Sequence, residues 1–214
     1  MKLSKTSKLD GIRSWSLQAL ETCPGSVASD GGLVPACAGC YATTGNYHYD
    51  NVKAPRRHNR DDWKRADWVQ DMVQALSNDR FFRWFDSGDM YDLRLAYKIY
   101  SVMQQTPWCS HWLPTRMHKF IKYDDVLASM QALPNVSVRF SSDSVTGEFT
   151  AGLHGSTIVP DADSVPAGVT VCHAYEHGGK CNGCRKCWDK AVPVIGYVAH
   201  GKKMGKIIRI QLAK

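Results

Sequence analysis

Seven of the eight cysteines in this 214-residue chain form two groups whose spacing is typical of metal sites. The first cysteine group is Cys23, Cys37 and Cys40, in the segment CPGSVASDGGLVPACAGCYA. Thiolates bind zinc and iron, and a tetrahedral site takes four ligands. Three cysteines therefore predict a metal site with one open coordination position, where water or substrate can bind. In the alternative, a distant ligand such as Cys109 closes the site, which would then be structural.

The second cysteine group has the pattern C-x8-C-x2-C-x2-C and supplies four ligands, enough for one closed site. The group comprises Cys172, Cys181, Cys184 and Cys187. A C-x2-C-x2-C run is the spacing of bacterial ferredoxins, whereas zinc sites more often use two separated C-x2-C pairs. The pattern favours an iron–sulfur cluster and leaves zinc as the alternative. The isolated Cys109 is expected to be a buried thiol.

The elements between the two groups predict an α/β fold with parallel strands. Short apolar runs begin at 81, 110 and 136, and one helical pattern lies in each gap. The sequence predicts strands over 81–85, 110–115, 136–140, 156–159, 168–172 and 207–212, and helices over 61–77, 92–105 and 124–133. A complete eight-unit barrel takes about 250 residues. We therefore expect a partial or degenerate (β/α) barrel as the core over 1–165, and a Cys-rich metal-binding extension over 166–214.

Polar residues follow three of the predicted strands. Ligands of parallel α/β folds bind at the carboxyl ends of the strands. Such residues are also ordinary turn formers, but three segments at equivalent positions favour a ligand site. The candidate ligand-binding residues are Ser87, Gly88, Asp89, Thr115, Arg116, Ser141, Ser142 and Asp143.

A net charge of +7 is compatible with a polyanionic partner. The segment 46–65 has the densest mixture of basic and aromatic residues. The pattern favours a solvated loop and the start of a helix, with Asp61 and Asp62 in its first turn. In the alternative, these residues contact nucleic acid. The candidate nucleic-acid contacts are Lys53, Arg56, Arg57 and Arg60.

The first twenty residues contain no apolar signal segment, and no later run approaches the length of a membrane span. We therefore expect a cytoplasmic protein with no membrane partner. Reducing conditions in that compartment favour metal ligation by the cysteines over disulfide formation.

Five motifs together indicate a family: Cys-Pro-Gly at 23–25, Cys-Ala-Gly-Cys-Tyr-Ala at 37–42, Ser-Gly-Asp at 87–89, Ser-Ser-Asp at 141–143 and Cys-x2-Cys-Arg-x-Cys-Trp at 181–188. In these motifs the chain resembles the phage gene product 88 family over nearly its whole length. That family looks distantly like the radical S-adenosylmethionine enzymes, in which three cysteines hold a 4Fe-4S cluster. The fourth iron of that cluster binds the methionine part of the cofactor.

The likeness to radical enzymes implies that the first cysteine group holds a 4Fe-4S cluster and that S-adenosylmethionine is the cofactor. It also implies that segment 87–89 binds the amino group of the cofactor, and that segment 141–143 lies near its ribose. The second cysteine group would hold an auxiliary cluster or zinc, and a reductant would be a partner. The thirteen-residue gap between Cys23 and Cys37 is longer than in those enzymes, and Gly39 replaces their aromatic residue.

Two functional hypotheses follow. In the first, the chain is an iron–sulfur protein of an infected bacterial cell that resembles radical S-adenosylmethionine enzymes. In the alternative, it is a non-catalytic iron–sulfur or zinc protein that binds nucleic acid or a host protein during infection.

Overall fold

A computed structural model describes residues 1–213, and they form one eight-stranded sheet with helices packed against it. The strands are β1 Ser4–Lys5, β2 Arg13–Trp15, β3 Phe81–Trp84, β4 Ser110–Thr115, β5 Val136–Ser141, β6 Gly155–Val159, β7 Val169–Cys172 and β8 Val194–Val198. Their order across the sheet is β1-β2-β3-β4-β5-β6-β8-β7. Only β1 and β2 pair antiparallel; all other neighbours in this part of the chain are parallel. The predicted α/β fold with parallel strands is confirmed.

The helices are α1 Pro35–Ala38, α2 Asp50–Asp62, α3 Trp68–Ala75, α4 Leu93–Gln105, α5 Asp124–Ala132 and α6 Lys202–Leu212. The α4 helix begins where the Asp92 side chain accepts a hydrogen bond from the Arg94 amide, which satisfies one free amide of the first turn. It ends two residues before Pro107, as the sequence predicts. Within residues 1–213, no helix combines the length and the apolar character that crossing a membrane requires.

The sheet is open in the part of the chain that the structure describes. Its outermost strands are β1 and β7, and no hydrogen bonds between them appear in residues 1–213. The predicted barrel is therefore not confirmed. Strands β7 and β8, which lie in the predicted extension, belong to the same sheet as β3 to β6.

The two faces of the sheet have different neighbours because side chains alternate along each strand. One face, with Phe82, Trp84 and Leu113, packs against α3, α4 and α5 in the main hydrophobic core. We call the opposite side the far face. Its residues on the central strands are Phe81, Arg83, Trp112, Ser137 and Arg139. Fully burying one large apolar side chain stabilises the fold by about 1.5–3 kcal/mol, so the many buried side chains of the helix-covered face stabilise the fold strongly.

The far face binds the chain around residues 186–193 through Arg139, a fully buried arginine. Its guanidinium donates hydrogen bonds to the carbonyl oxygens of Lys186 at 2.9 Å, Cys187 at 2.8 Å, Asp189 at 2.8 Å and Val192 at 2.9 Å. Burial lowers the pKa of Arg139. The carbonyl dipoles replace the water that the charge has lost, so one side chain attaches the segment after the second cysteine group to β5.

The predicted helix over 61–77 is wrong at its start. Two helices occupy this region: α2 ends at Asp62 and α3 begins at Trp68. Asp62 pairs with the amino group of Met1 at 2.8 Å and with Arg65 at 2.9 Å. Arg65 also reaches Asp71 at 2.7 Å, so one arginine joins both helices across the turn. Ion pairs of this kind leave no periodic signal in the sequence.

The predicted strand over 207–212 is also wrong, because these residues belong to α6. Met204 and Ile208 are buried and lie four residues apart, on one face of the helix. A Cβ atom on Gly39 would lie 2.6 Å from Met204 Cε. The helix therefore packs on the first cysteine group, where Ala36 joins Met204 and Ile208 in one hydrophobic cluster. A short apolar run alone does not distinguish a strand from a helix.

We predict that Arg139→Met destabilises the fold. The substitution keeps the apolar volume but leaves several buried carbonyls without donors, each worth about 1–3 kcal/mol. We expect a loss of about 3 kcal/mol or more in the free energy of unfolding in urea. The matched control is Arg94→Met, because Arg94 is exposed and pairs with its neighbour Asp92. The control should stay within about 0.5 kcal/mol of wild type; equal losses in both variants would contradict the role of Arg139.

Candidate functional site

The chain that leads into the first cysteine group is bound to the turn that follows β3. Ser87 Oγ donates to the carbonyl of Leu17 at 2.7 Å, and the Leu17 amide donates to the carbonyl of Ser87 at 3.0 Å. The Asp89 amide donates to the carbonyl of Thr22 at 2.9 Å. Residues 17–22 therefore lie on the carboxyl end of β3, and Cys23 follows directly.

Gly88 is required at this contact for two reasons. Its φ of +80° lies in the left-handed region that side chains disfavour. A Cβ atom at this position would also lie 2.5 Å from Leu17 Cβ and 2.7 Å from Thr22 Oγ1. Any larger residue would separate the cysteine-bearing loop from the sheet.

Asp89 connects the ends of β3 and β4. Its carboxylate accepts hydrogen bonds from Thr115 Oγ1 and from the amides of Arg116 and Met90, each at 2.8 Å. Burial raises the pKa of Asp89, although these donors oppose the shift. Three protein donors therefore occupy this carboxylate, which holds the two strand ends together.

Arg116 and Asp143 extend the connection to the end of β5. Arg116 Nε donates to Asp143 at 3.1 Å, and Lys119 Nζ donates to the same carboxylate at 2.5 Å. Lys119 also donates to the carbonyl of Gly25 at 3.1 Å, and the Ala36 amide donates to the carbonyl of Asp143 at 3.0 Å. Both ends of the first cysteine loop thus contact the carboxyl edge of the sheet.

The structure brings together the three polar segments that follow β3, β4 and β5. Several of their polar groups already bind protein: Arg116 Nη2 donates to the carbonyl of Ser142 at 2.7 Å, and Ser142 Oγ donates to the carbonyl of Glu148 at 2.6 Å. Ser141 is the last residue of β5, beside Ser156 of β6. Ligand binding by the eight candidate residues stays a prediction.

The three thiols of the first cysteine group share one environment. Burial raises the pKa of Cys23 to about 12, and Asp89 and the thiols of Cys37 and Cys40 add to the effect. Burial also raises the pKa of Cys37 and of Cys40, while the positive charge of Arg116 opposes both shifts. Without a metal, these thiols are therefore neutral at physiological pH.

The donor types and the proximity of these thiols fit a thiolate-bound metal, but their positions do not form a ligand set. Within residues 1–213, no three Cys, His, Asp or Glu side chains have an arrangement that could hold a metal ion. The loop consists of short helical turns, including α1 and the turns at 24–26 and 41–43. Metal ligation would require these turns to shift from the conformation described here.

Three thiols of the second cysteine group lie together against the far face. Cys187 Sγ is 3.4 Å from the Tyr197 hydroxyl, and Cys172 is the strand neighbour of Tyr197. Burial raises the pKa of Cys181 to about 11, with contributions from Cys187 and Cys172. Cys184 is exposed.

The comparisons with known proteins identify one family. The family model for Gene product 88 matches residues 2–190 of the chain. The chain belongs to the gene product 88 family. No curated protein and no solved structure matches it. The likeness to radical S-adenosylmethionine enzymes has no support from these comparisons.

The predicted nucleic-acid contacts of this gene product 88 family member do not form one free surface. Arg56 is only 7% exposed and donates to Ser87 Oγ at 2.7 Å, inside the candidate site. Arg57 and Arg60 are exposed but pair with Glu21 at 3.6 and 3.3 Å. Lys53 is half-buried. Arg56 is thus a buried part of the fold, and nucleic-acid contact by these four residues stays a prediction.

A buried polar network surrounds Asp86, two residues after β3, and the motifs of the sequence did not predict it. The Asp86 carboxylate accepts hydrogen bonds from Tyr47 at 2.7 Å and Arg56 at 2.9 Å, and Arg83 lies 3.5 Å away. Its carbonyl accepts from the Tyr41 hydroxyl at 2.5 Å. The network joins β3 and α2 to the residue after Cys40. Its one sequence signal was the acidic residue at the end of a buried strand.

We predict that Asp86→Asn destabilises the fold in a pH-dependent way. Burial alone would raise the pKa of Asp86, but Arg83, Tyr47 and Arg56 hold it below the ordinary 3.8. The ion pair therefore stabilises the fold fully at pH values above 3.8, the ordinary pKa that Asp86 has in the unfolded chain. Its contribution is lost as the pH falls through the lower pKa that Asp86 has in the folded protein. At neutral pH, removing one charge of a buried pair costs about 3–5 kcal/mol.

Urea unfolding of wild type and variant across this pH range measures the effect. The difference in unfolding free energy should shrink below pH 3.8. Asp163→Asn is the control, because Asp163 is exposed and has no ion pair in the described part of the chain. A difference that does not change with pH would contradict the role of the Asp86 charge.

Proposed function

We propose that this chain is a metal-binding phage protein with an enzyme-like site at the carboxyl edge of its sheet. In this proposal, Cys23, Cys37 and Cys40 hold a 4Fe-4S cluster with one open position. The second cysteine group holds another cluster or zinc. The protein acts in the cytoplasm of an infected bacterial cell, and the open sheet corresponds to a partial barrel.

The strongest support for the proposal is that the first cysteine loop contacts the carboxyl ends of three adjacent parallel strands. This edge is where α/β folds bind ligands. The contacts come from Ser87 and Asp89 after β3, from Lys119 in the turns after β4 and from Asp143 after β5. Arg116 and Lys119 add positive charge beside the thiols, which favours thiolates and an anionic cluster.

The chemistry would depend on the open position. A bound 4Fe-4S cluster would supply one electron to S-adenosylmethionine, taken from an external reductant. The protein groups would position the loop: Gly88 allows its close approach, and Asp89 fixes the distance between β3 and β4. The Asp89 carboxylate is occupied by protein donors, so an amino group of the cofactor would need another partner.

We predict that the first cysteine group determines part of the metal content. Protein purified without oxygen should contain iron and sulfide. The variant Cys37→Ser/Cys40→Ser should lose the iron and sulfide that the first site binds, because two of its three ligands are gone. Iron, sulfide and zinc analysis together with the absorption spectrum measures this. Incubation of the reduced protein with S-adenosylmethionine should release 5′-deoxyadenosine from wild type only.

Cys109→Ser is the matched control, because Cys109 is a buried thiol outside both groups. Its metal content should equal that of wild type; a loss would support the closed structural site instead. Zinc as the only metal would overturn the iron–sulfur proposal. A fully loaded cluster without cofactor cleavage would overturn the radical chemistry alone.

The second candidate function is a non-catalytic iron–sulfur or zinc protein that binds nucleic acid or a host protein. The exposed guanidinium groups of Arg57 and Arg60 on α2 favour it, together with the net charge of +7. Their pairing with Glu21 weakens it, because the carboxylate neutralises part of that surface.

We predict that, if this function holds, binding to single-stranded or duplex DNA or RNA weakens steeply with salt. Arg57→Gln/Arg60→Gln should lower the slope of log affinity against log salt by about one per lost phosphate contact. Arg94→Gln, on a different helix, is the control. Equal slopes for wild type and the double variant would remove the main support for this function.

A further inference from the structure

The helix α6 presents a strongly basic surface. Residues 190–214 contain six lysine and arginine residues and no aspartate or glutamate, so the rest of the chain is close to neutral and most of the net charge of +7 lies here. Four of these residues are on α6, and none of the four forms an ion pair with a carboxylate in residues 1–213. The four exposed residues are Lys202, Lys203, Lys206 and Arg209.

The charged and apolar residues of α6 lie on opposite sides of the helix. Lys202, Lys206 and Arg209 share one side, because residues three and four positions apart are neighbours on a helix surface. They span about 10 Å along the helix axis. Met204 and Ile208 are buried on the other side, in a hydrophobic cluster with the first cysteine loop. The apolar side therefore holds the helix on the protein, and the basic side faces solvent.

Lys203, on the flank of α6, connects the helix to the first cysteine loop. Its Nζ donates a hydrogen bond to Thr43 Oγ1 at 2.9 Å. Burial raises the pKa of Cys40, and the charge of Lys203 is among those that oppose the shift. The basic side of α6 thus lies beside the loop that contacts the carboxyl edge of the sheet.

The phosphate backbone of a nucleic acid fits this surface better than a lipid bilayer does. A helix that binds a membrane surface inserts its apolar side among the lipids, but Met204 and Ile208 are already packed on the protein. The exposed apolar residues of α6 are limited to its last turns, at Ile210 and Leu212. Phosphates are bound by lysine and arginine side chains without any apolar insertion.

We propose that the basic side of α6, formed by Lys202, Lys206 and Arg209, binds the phosphate backbone of a nucleic acid. This inference rests on the second candidate function, and it assigns the contact to α6 rather than to the arginines of α2 that pair with Glu21. Binding through phosphates carries no sequence preference, and it requires no metal at either cysteine group. The family match covers residues 2–190, so α6 lies outside the matched segment.

The experiment measures the binding of fluorescently labelled duplex DNA and single-stranded RNA to the full-length protein by anisotropy, over a range of salt concentrations. Wild type should bind at least one of these probes. Lys202→Gln/Lys206→Gln/Arg209→Gln should lower the slope of log affinity against log salt by about two to three, because each lost phosphate contact lowers it by about one. Circular dichroism checks that the variant folds. If it does not, Lys206→Gln alone should lower the slope by about one.

The matched control is Lys5→Gln/Arg80→Gln/Lys186→Gln, which removes the same charge from three exposed residues outside α6. Its slope should equal that of wild type; equal losses in both triple variants would show an effect of net charge alone and would overturn the inference.

The variant Arg57→Gln/Arg60→Gln separates this inference from the function on which it rests. A lower slope for that variant, with a wild-type slope for the α6 variant, would overturn the inference and keep the second candidate function. No binding of either probe by wild type would overturn the inference and the nucleic-acid part of that function together. Vesicles of phosphatidylserine and phosphatidylcholine test the lipid alternative, and binding to these vesicles without binding to either probe would also overturn the inference.

Discussion

Buried arginine charge, on the far face and at the turn after β3, is the constraint on which the positions of both cysteine groups depend. A guanidinium removed from water needs hydrogen-bond acceptors, and the penalty without them is several kcal/mol. Arg139 obtains them from the backbone of 186–189 and 192, and Arg56 and Arg83 obtain theirs from the turn after β3. The arginines therefore determine which irregular segments lie on the sheet. The cysteines are in those segments or directly beside them.

The sheet and the loops contribute differently to the candidate site. The strands provide fixed ends, because their apolar side chains are held in the core under α3, α4 and α5. The cysteine loops are attached by backbone hydrogen bonds and by glycine contacts such as that of Gly88 with Leu17. Between its attached ends, the first loop consists of short helical turns, which place the three thiols in one region without forming a ligand set.

Periodicity was sufficient to predict the central elements. The strands β3, β4 and β5 and the helices α4 and α5 agree with their apolar patterns, and the rule that ligands bind at carboxyl ends led to the segments that Asp89 and Arg116 connect. The break between α2 and α3 and the helix α6 were not predictable in this way, because ion pairs at Asp62 and Arg65 and the packing of Met204 and Ile208 on Ala36 determine them. The partners of Ser87 and Asp86 were also hidden, since Leu17 and Ser16 lie 70 residues away in the sequence.

The position of Arg83 makes the two cysteine groups physically dependent on each other. Its side chain contacts Tyr41, the residue after Cys40, and stacks on Trp112, which packs with Cys187. Electrostatic interactions are strong in a buried region because little water is present to screen them. A change of charge at either group therefore acts on the same guanidinium. Asp86 already binds Arg56 and Tyr47, so it can offset only part of that change. The rest of the change in electrostatic potential acts on the thiols of the other cysteine group.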